Sequence, residues 1–308
     1  MKLYRRFSAI FSMAIAATMS SALAEDGPIR ISMNEWTGQN LSAKIAGRVL
    51  EELGHEVEYV TAGAVPQYTA FADGSLHFNP EIWTNNVGDI FPKAVAAGDI
   101  VVVGELGLTP REGWFYPPYM EEKCPGLPSY QALYDCAQAF ATAETFPNGR
   151  LITYPADWGT RSKGLVAALN VPLQPVAGGS EGAMIAEMKS AVAAKAPMLM
   201  MFWQPHWVHA EIDLNLVEWD TVSADCESGP AQSRGNACGF AQALVQKIVS
   251  RDFEQSWPKA YRFVQNYSLS NDVQNALIKQ VDQDGKSVDE AVTAWMADNE
   301  TLWRGWIN

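Results

Sequence analysis

From Ile29 onward, short β-rich runs alternate with helical ones, and this alternation leaves the chain few folds to choose from. Ile29 to Met33 reads as a strand. Gln39 to Leu53 reads as a helix, with Leu41, Ile45, Val49 and Leu53 recurring on one face and Gly54 placed as a C-cap. Glu56 to Val60 is a second strand, Val65 to Ala72 a short helix, Leu76 to Trp83 a third extended run, and Ile100 to Val103 another strand. Strands separated by helices pair through crossovers rather than hairpins. The expected product is a mostly parallel sheet with helices on its faces.

Between Pro110 and Pro128 the texture changes to glycine, proline and aromatics (GWFYPPYMEEKCPGLP), which reads as a crossing strand and a loop. The alternation then restarts. Tyr130 to Ala141 is predicted helical, Arg150 to Tyr154 a strand, Arg161 to Leu169 and Glu181 to Lys195 helices, and Pro197 to Trp203 a buried strand. From about Phe240 to Trp306 the pattern is predominantly helical, broken at Pro258 and near Gly285. Two α/β units joined by crossovers predict a hinged, two-lobed protein. Residues 25–113 with 215–308 form the expected first lobe, and residues 114–214 the second.

The first 24 residues read as an address. Lys2, Arg5 and Arg6 precede an apolar run from Phe7 to Ala17, and Ala22-Leu23-Ala24 is a small-x-small cleavage site. The run falls short of the roughly 20 apolar residues that a membrane span needs. Cleavage is expected after Ala24, with the remainder exported to the periplasm. No cysteine follows the cut to carry a lipid anchor. This leader holds three basic and no acidic residues, so 22 Lys and Arg become 19 against 35 Asp and Glu, and the formal charge moves from −13 to −16. Such a surface repels nucleic acid, and no basic cluster overrides it.

All four cysteines, Cys124, Cys136, Cys226 and Cys238, lie beyond the leader. An even number in an oxidising compartment points to two structural disulfides, with three pairings open. The local pairing, Cys124–Cys136 with Cys226–Cys238, would close two loops of similar length, each worth about 2–3 kcal/mol. A zinc site is the weaker reading, since no C-x-x-C knuckle is present.

Eleven tryptophans are a heavy load, and their placement matters more than their number. Trp36 follows the Ile29–Met33 run, Trp83 ends the Leu76 run, Trp158 follows Arg150–Tyr154, and Trp203 ends the Pro197 run. Ligands of open α/β sheets bind outside the carboxyl ends of the strands. Two of these residues fall in each lobe, so lobe closure would bring all four together. A trimethylammonium group has no N–H to donate and spreads its charge over methyls, so indole faces suit it better than carboxylates alone. Each face contributes about 0.5–2 kcal/mol once water is excluded. A lone tryptophan is more often plain core, and Trp219, Trp257, Trp295, Trp303 and Trp306, which lack this placement, are read as core or surface packing.

Phe202-Trp203-Gln204-Pro205-His206-Trp207, followed by Asp213-Leu214-Asn215-Leu216, resembles the W-x-P-H-W signature of the glycine betaine, choline and trimethylamine N-oxide type of periplasmic substrate-binding proteins of ABC importers. Asn79-Pro80-Glu81-Ile82-Trp83 resembles that family's strand-to-tryptophan element, Asp157-Trp158-Gly159-Thr160 its third cage position, and Gly113-Trp114 with Pro117 its interlobe crossing. The resemblance runs from about Ile29 to Trp219. It implies an α/β, type II-like periplasmic binding protein and a cage of Trp83, Trp158 and Trp203. Trp36 is added from its place at a strand exit, with Trp114 and Trp207 as the other candidates for a fourth wall. It further implies that backbone N–H groups of Gly159 and Thr160, at a helix start, face the ligand's anionic end. The implied partners are a small methylated amine and a membrane permease, for a monomer with neither cofactor nor catalytic residues.

One position departs from the family pattern. Some betaine binders have a histidine four residues after the first cage tryptophan, and here Val87 stands there. Glu35 and Glu81 adjoin cage residues instead. A carboxylate there would repel a betaine's anionic end but would favour choline, or share a proton with the oxygen of trimethylamine N-oxide. That ordering puts trimethylamine N-oxide ahead of betaine and choline. The alternative reading is an exported hydrolase of choline or amine esters using the same cage. It requires a nucleophile–base pair, for which the neighbourhood of His206 and His209 is the sole candidate. The same two histidines with Glu211 could share a metal, but His206 already belongs to the signature.

Overall fold

A computed structural model of the chain describes residues 27–84, 87–220, 239–240 and 243–308. The expected leader, Cys226 and Cys238 lie outside them. Two five-stranded sheets organise the molecule, one in each lobe. The first contains β1 (Ile29–Met33), β2 (Val57–Thr61), β3 (Phe78–Trp83), β4 (Ile100–Glu105) and, from far along the chain, β11 (Val245–Ser250), in the order β2-β1-β3-β11-β4. The second contains β5 (Arg111–Tyr116), β7 (Gly149–Thr153), β8 (Leu173–Ala177), β9 (Met200–Gln204) and β10 (Asn215–Leu216), in the order β10-β5-β9-β7-β8. A short strand, β6 (Pro125–Pro128), stands outside both. The chain leaves the first sheet after Glu105, enters the second at Arg111, and leaves that after Leu216.

The sheets are mixed rather than mostly parallel. β1 runs parallel to β2 and β3, and β7 runs parallel to β8 and β9. β11 is antiparallel to both β3 and β4, as β5 is to β9 and β10. β11 falls within the stretch expected to be predominantly helical, and its Val245, Ile248 and Val249 stand at i, i+3 and i+4, a helix-like spacing. A register irregularity on both ladders, beginning at Gln246 and Lys247 and ending at Ile248, explains the broken alternation of a strand. Lys247 is only 2% exposed, and its Nζ donates to the carbonyls of Gln265 and Tyr267 at 3.2 and 2.6 Å. The predicted helix over Tyr130–Ala141 is a chain of short turns, Tyr130–Ala132, Leu133–Cys136 and Ala137–Phe140. Cys124 and Cys136 form a disulfide that ties this region to the helix Met120–Lys123.

The helix Thr37–Glu52 buries Leu41, Ile45, Val49 and Leu50 against the first sheet and packs on Asn271–Asp282 and Val288–Asp298. Those later helices begin at serines whose hydroxyls accept backbone N–H groups: Ser270 from Val273, and Ser287 from Glu290 in a reciprocal capping box. At the crossing, Gly107 has φ +101°, and a Cβ there would lie 2.3 Å from Ser268 Oγ and 2.9 Å from the Leu269 carbonyl oxygen. Only glycine fits that junction. No helix among the described residues is long and apolar enough to cross a membrane.

Candidate functional site

β1 and β3 are parallel neighbours, so their carboxyl ends share one edge of the first sheet; Trp36 lies just beyond β1 and Trp83 ends β3. β7 and β9 repeat the arrangement in the second lobe, with Trp158 beyond β7 and Trp203 near the end of β9. These edges face one another. Trp36, Trp83, Trp158 and Trp203 line one cleft, together with Tyr68, Glu112 and Tyr154. Adjacent walls meet at steep angles. Trp36 and Trp158 have centroids 5.3 Å apart at 60°, and Trp158 and Trp203 lie 5.9 Å apart at 72°. Tyr154 closes the corner between Trp158 and Trp203, at 5.7 and 5.6 Å. Rings set in this way meet edge to face instead of stacking on each other.

Carboxylates hold three of the indoles by their N–H groups. Glu81, 1% exposed, accepts Trp36 Nε1 and Trp83 Nε1 on Oε1, both at 3.0 Å. Its Oε2 accepts Ser42 Oγ at 2.6 Å and Gln274 Nε2 at 2.7 Å. Burial raises the Glu81 carboxyl above its ordinary range, and the bonds from Ser42, Trp83, Trp36 and Gln274 pull it back down. Glu35 is exposed, and its Oε2 takes Trp158 Nε1 at 2.9 Å from the other lobe. Glu35 and Glu81 thus both serve indole N–H groups, Glu81 with all four of its acceptor sites used.

Glu112, Tyr154 and Tyr68 line the cleft but escaped the sequence reading. β5 starts at the crossing and runs antiparallel to β9, with Glu112 paired to Trp203. The cleft therefore receives the beginning of β5, whereas a search for strand exits looks only at ends. Glu112 accepts Tyr154 Oη at 3.0 Å. Burial, then the neighbouring Glu112 charge, push the Tyr154 hydroxyl well above its ordinary pKa, so it remains a donor. Val87, at the departing position, is also in the lining.

Gly159 and Thr160 do not line the cage. They border a separate groove with Arg161, Lys163 and Pro175, and Thr160 is exposed at the start of the helix Arg161–Leu169. Trp114 donates to Ser162 and packs on Trp219 and Phe240, and Trp207 donates to Asp282, so neither is a wall of the cleft.

The proposed histidine pair separates. His209 bonds the Trp203 carbonyl at 2.8 Å, and burial takes its pKa down to about 4. Glu211 is engaged by Gln283 and Lys279. His206 instead faces Glu181 at 3.2 Å and Asp282 at 3.7 Å. These three offer metal-ligand atoms within 4.8 Å of one another. However, His206 Nδ1 accepts the Val208 N–H at 3.2 Å, which puts the proton of the neutral ring on Nε2, toward the carboxylates. A metal ligand needs that nitrogen bare and its other nitrogen donating, so the cluster fits hydrogen bonding rather than a metal. It also bridges the cleft, since Glu181 and His206 belong to the second lobe and Asp282 to the first. Thr37 N–H adds another crossing bond to Glu181 at 2.8 Å. The described lining holds no serine, threonine or cysteine.

Comparison with known proteins shows the fold and the family. The chain is 28% identical over 301 residues to the trimethylamine N-oxide-binding protein of Pelagibacter ubique (strain HTCC1062), covering 96% of this chain and 95% of that protein. Lactococcal OpuAC in its closed form with glycine betaine superposes with a TM-score of 0.72 at 18% identity, covering 92% of this chain and 100% of that one. An ABC-transporter choline-binding protein in complex with choline gives 0.74 at 18% identity, covering 91% of each chain. These two structures show the same two-lobed fold. A sequence model of the substrate-binding domain of ABC-type glycine betaine transport systems matches residues 27–298, and the chain belongs to that family of transporter substrate-binding proteins.

Proposed function

We propose that the cleft captures a small methylated amine osmolyte, with trimethylamine N-oxide ahead of choline and glycine betaine, and that lobe closure presents it to a membrane permease. The chain acts as an exported periplasmic monomer cleaved after Ala24, without chemistry of its own. The supporting observation is the set of four indoles, two from each lobe, that line one cleft with Glu112. Steeply angled aromatic faces supply negative quadrupole and apolar contact to an onium group. The carboxylate of Glu112, rather than Glu35 or Glu81, is the group that ranks the ligands. It opposes a second carboxylate, which disfavours betaine, accepts from the hydroxyl of choline, and meets the oxygen of trimethylamine N-oxide through a shared proton. The name of the 28% identical relative from Pelagibacter ubique points the same way.

Both lobes supply walls, so contacts from the second lobe stabilise the closed form and let closure report occupancy. The test is a calorimetric panel of trimethylamine N-oxide, glycine betaine, choline, carnitine and dimethylsulfoniopropionate, with proline and histidine as controls. Trp158→Ala and Trp203→Ala are each expected to weaken the best ligand about tenfold or more, at about 1.4 kcal/mol per decade. Normal binding by both variants would place the site elsewhere.

A further inference from the structure

We propose that Tyr68 selects for an oxygen on the ligand, its hydroxyl donating a hydrogen bond to that oxygen within the cage. The inference rests on the reading of the cleft as a methylated-amine site. Among the described residues, the buried tyrosine hydroxyls without a hydrogen-bond partner are those of Tyr59 and Tyr68, and of these Tyr68 lines the cleft. Tyr68 is 3% exposed and sits among Phe71, Leu76 and Ile82, with Phe91 edge-on at 6.4 Å. None of these offers an acceptor. A buried hydroxyl left unpaired destabilises the protein that holds it, so its retention calls for a partner that arrives from outside.

Neighbouring polar groups of the first lobe are already committed. Gln67 Oε1 accepts Ser32 and Asn79, and its amide donates to the Ala64 carbonyl. Glu81 is fully used by four donors, and the Trp36 and Trp83 N–H groups are spent on it. In the second lobe Tyr154 donates to Glu112 and Trp158 to Glu35. Tyr68 is thus the hydroxyl of the lining whose proton has no acceptor among the described residues. Burial alone raises its pKa, which keeps that proton in place. The matching ligand carries an onium head for the indoles and an oxygen acceptor close to it, as an amine oxide does.

The experiment compares the full chain and Tyr68→Phe by calorimetry against trimethylamine N-oxide and against tetramethylammonium, which has the onium head but no oxygen. Tyr68→Phe keeps the ring and removes the donor. It is expected to weaken trimethylamine N-oxide about tenfold or more, the loss typical of a hydrogen bond to a charged oxygen, and to leave tetramethylammonium within about twofold. The ligand-free variant should melt no lower than the parent, because it loses a buried polar group without a partner. Equal weakening of both ligands, or no weakening of trimethylamine N-oxide, overturns the role of Tyr68 while leaving the cage intact. Failure of the parent protein to bind either ligand overturns the cage itself.

Discussion

Glu35→Ala isolates what lobe closure contributes to binding, because the residue is exposed, sits in the first lobe and touches the cage only through Trp158 of the second. A hydrogen bond to a charged group contributes about 1.5–3 kcal/mol when shielded. Contacts of exposed charges contribute about 0.2–1 kcal/mol. The Trp158 N–H to Glu35 bond, at 2.9 Å, joins a buried indole to an exposed carboxylate, so about 1 kcal/mol is the reasonable value. The bond forms only with the lobes together, and its loss falls entirely on the ligand-holding state. The expected result is a dissociation constant raised about fivefold, carried mainly by faster release. Glu35→Gln keeps an acceptor oxygen and should stay within about twofold of the parent. Unfolding of the ligand-free protein should change by less than about 0.5 kcal/mol, as for other surface substitutions. Calorimetry gives the affinity, stopped-flow displacement the release rate, and urea titration the stability. Unchanged affinity would mean that Trp158 holds its orientation unaided. A loss of about a hundredfold or more would mean that Glu35 touches the ligand directly. Either result refutes the reasoning.

Glu81→Ala should be far more disruptive, leaving the Trp36 and Trp83 N–H groups without their acceptor and removing one partner each from Ser42 and Gln274, and should lower urea stability by at least about 3 kcal/mol, with Glu81→Gln milder because one acceptor oxygen remains to both indoles. A fall of less than about 1 kcal/mol for Glu81→Ala would show that the indoles are positioned by packing alone. Binding should also depend on pH through Asp282, which ends the helix Asn271–Asp282 and faces Glu181, His206, Trp207 and Thr37, with Lys189 over the Trp207 ring. Burial first, then the Glu181 charge, raise its carboxyl above the ordinary 3.8, and separation of the lobes removes both causes. The closed form therefore binds the proton more tightly. Closure is favoured at low pH and loses that contribution as pH rises through the raised value. Affinity measured near the ordinary value, at about pH 4, should exceed that at pH 8, and Asp282→Asn should flatten the slope. A flat or reversed profile in the parent would exclude this linkage.

The parts of the site that were legible from sequence are those governed by local rules. The helices Arg161–Leu169 and Glu181–Ala194 and the strands leading to Trp36, Trp83, Trp158 and Trp203 follow from periodicity and from the tendency of α/β sheets to bind ligands at strand exits. Hidden parts depended on partners distant in sequence. Glu112 enters the cleft because β5 is antiparallel to β9, and no local pattern encodes strand direction. Glu81 could be read as a carboxylate near the ligand, but its fourth bond comes from Gln274, on a helix far along the chain. The helix Ile90–Ala97 went unread because Pro92 lies within its first turn, where proline is tolerated although it usually signals a break. β11 was masked by helix-like spacing and a central lysine whose charge is met by carbonyls after the fact.

β11 also sets an order of assembly. The second sheet draws all its strands from one continuous stretch, Arg111 to Leu216, whereas the first cannot close until Val245–Ser250 arrives to fill the slot between β3 and β4. Until then β3 and β4 present unpaired flanks, the kind of surface that recruits foreign strands. The lobe that begins first is thus finished last, and the interval during which its sheet stands open is governed by the time the chain takes to deliver its most distant strand.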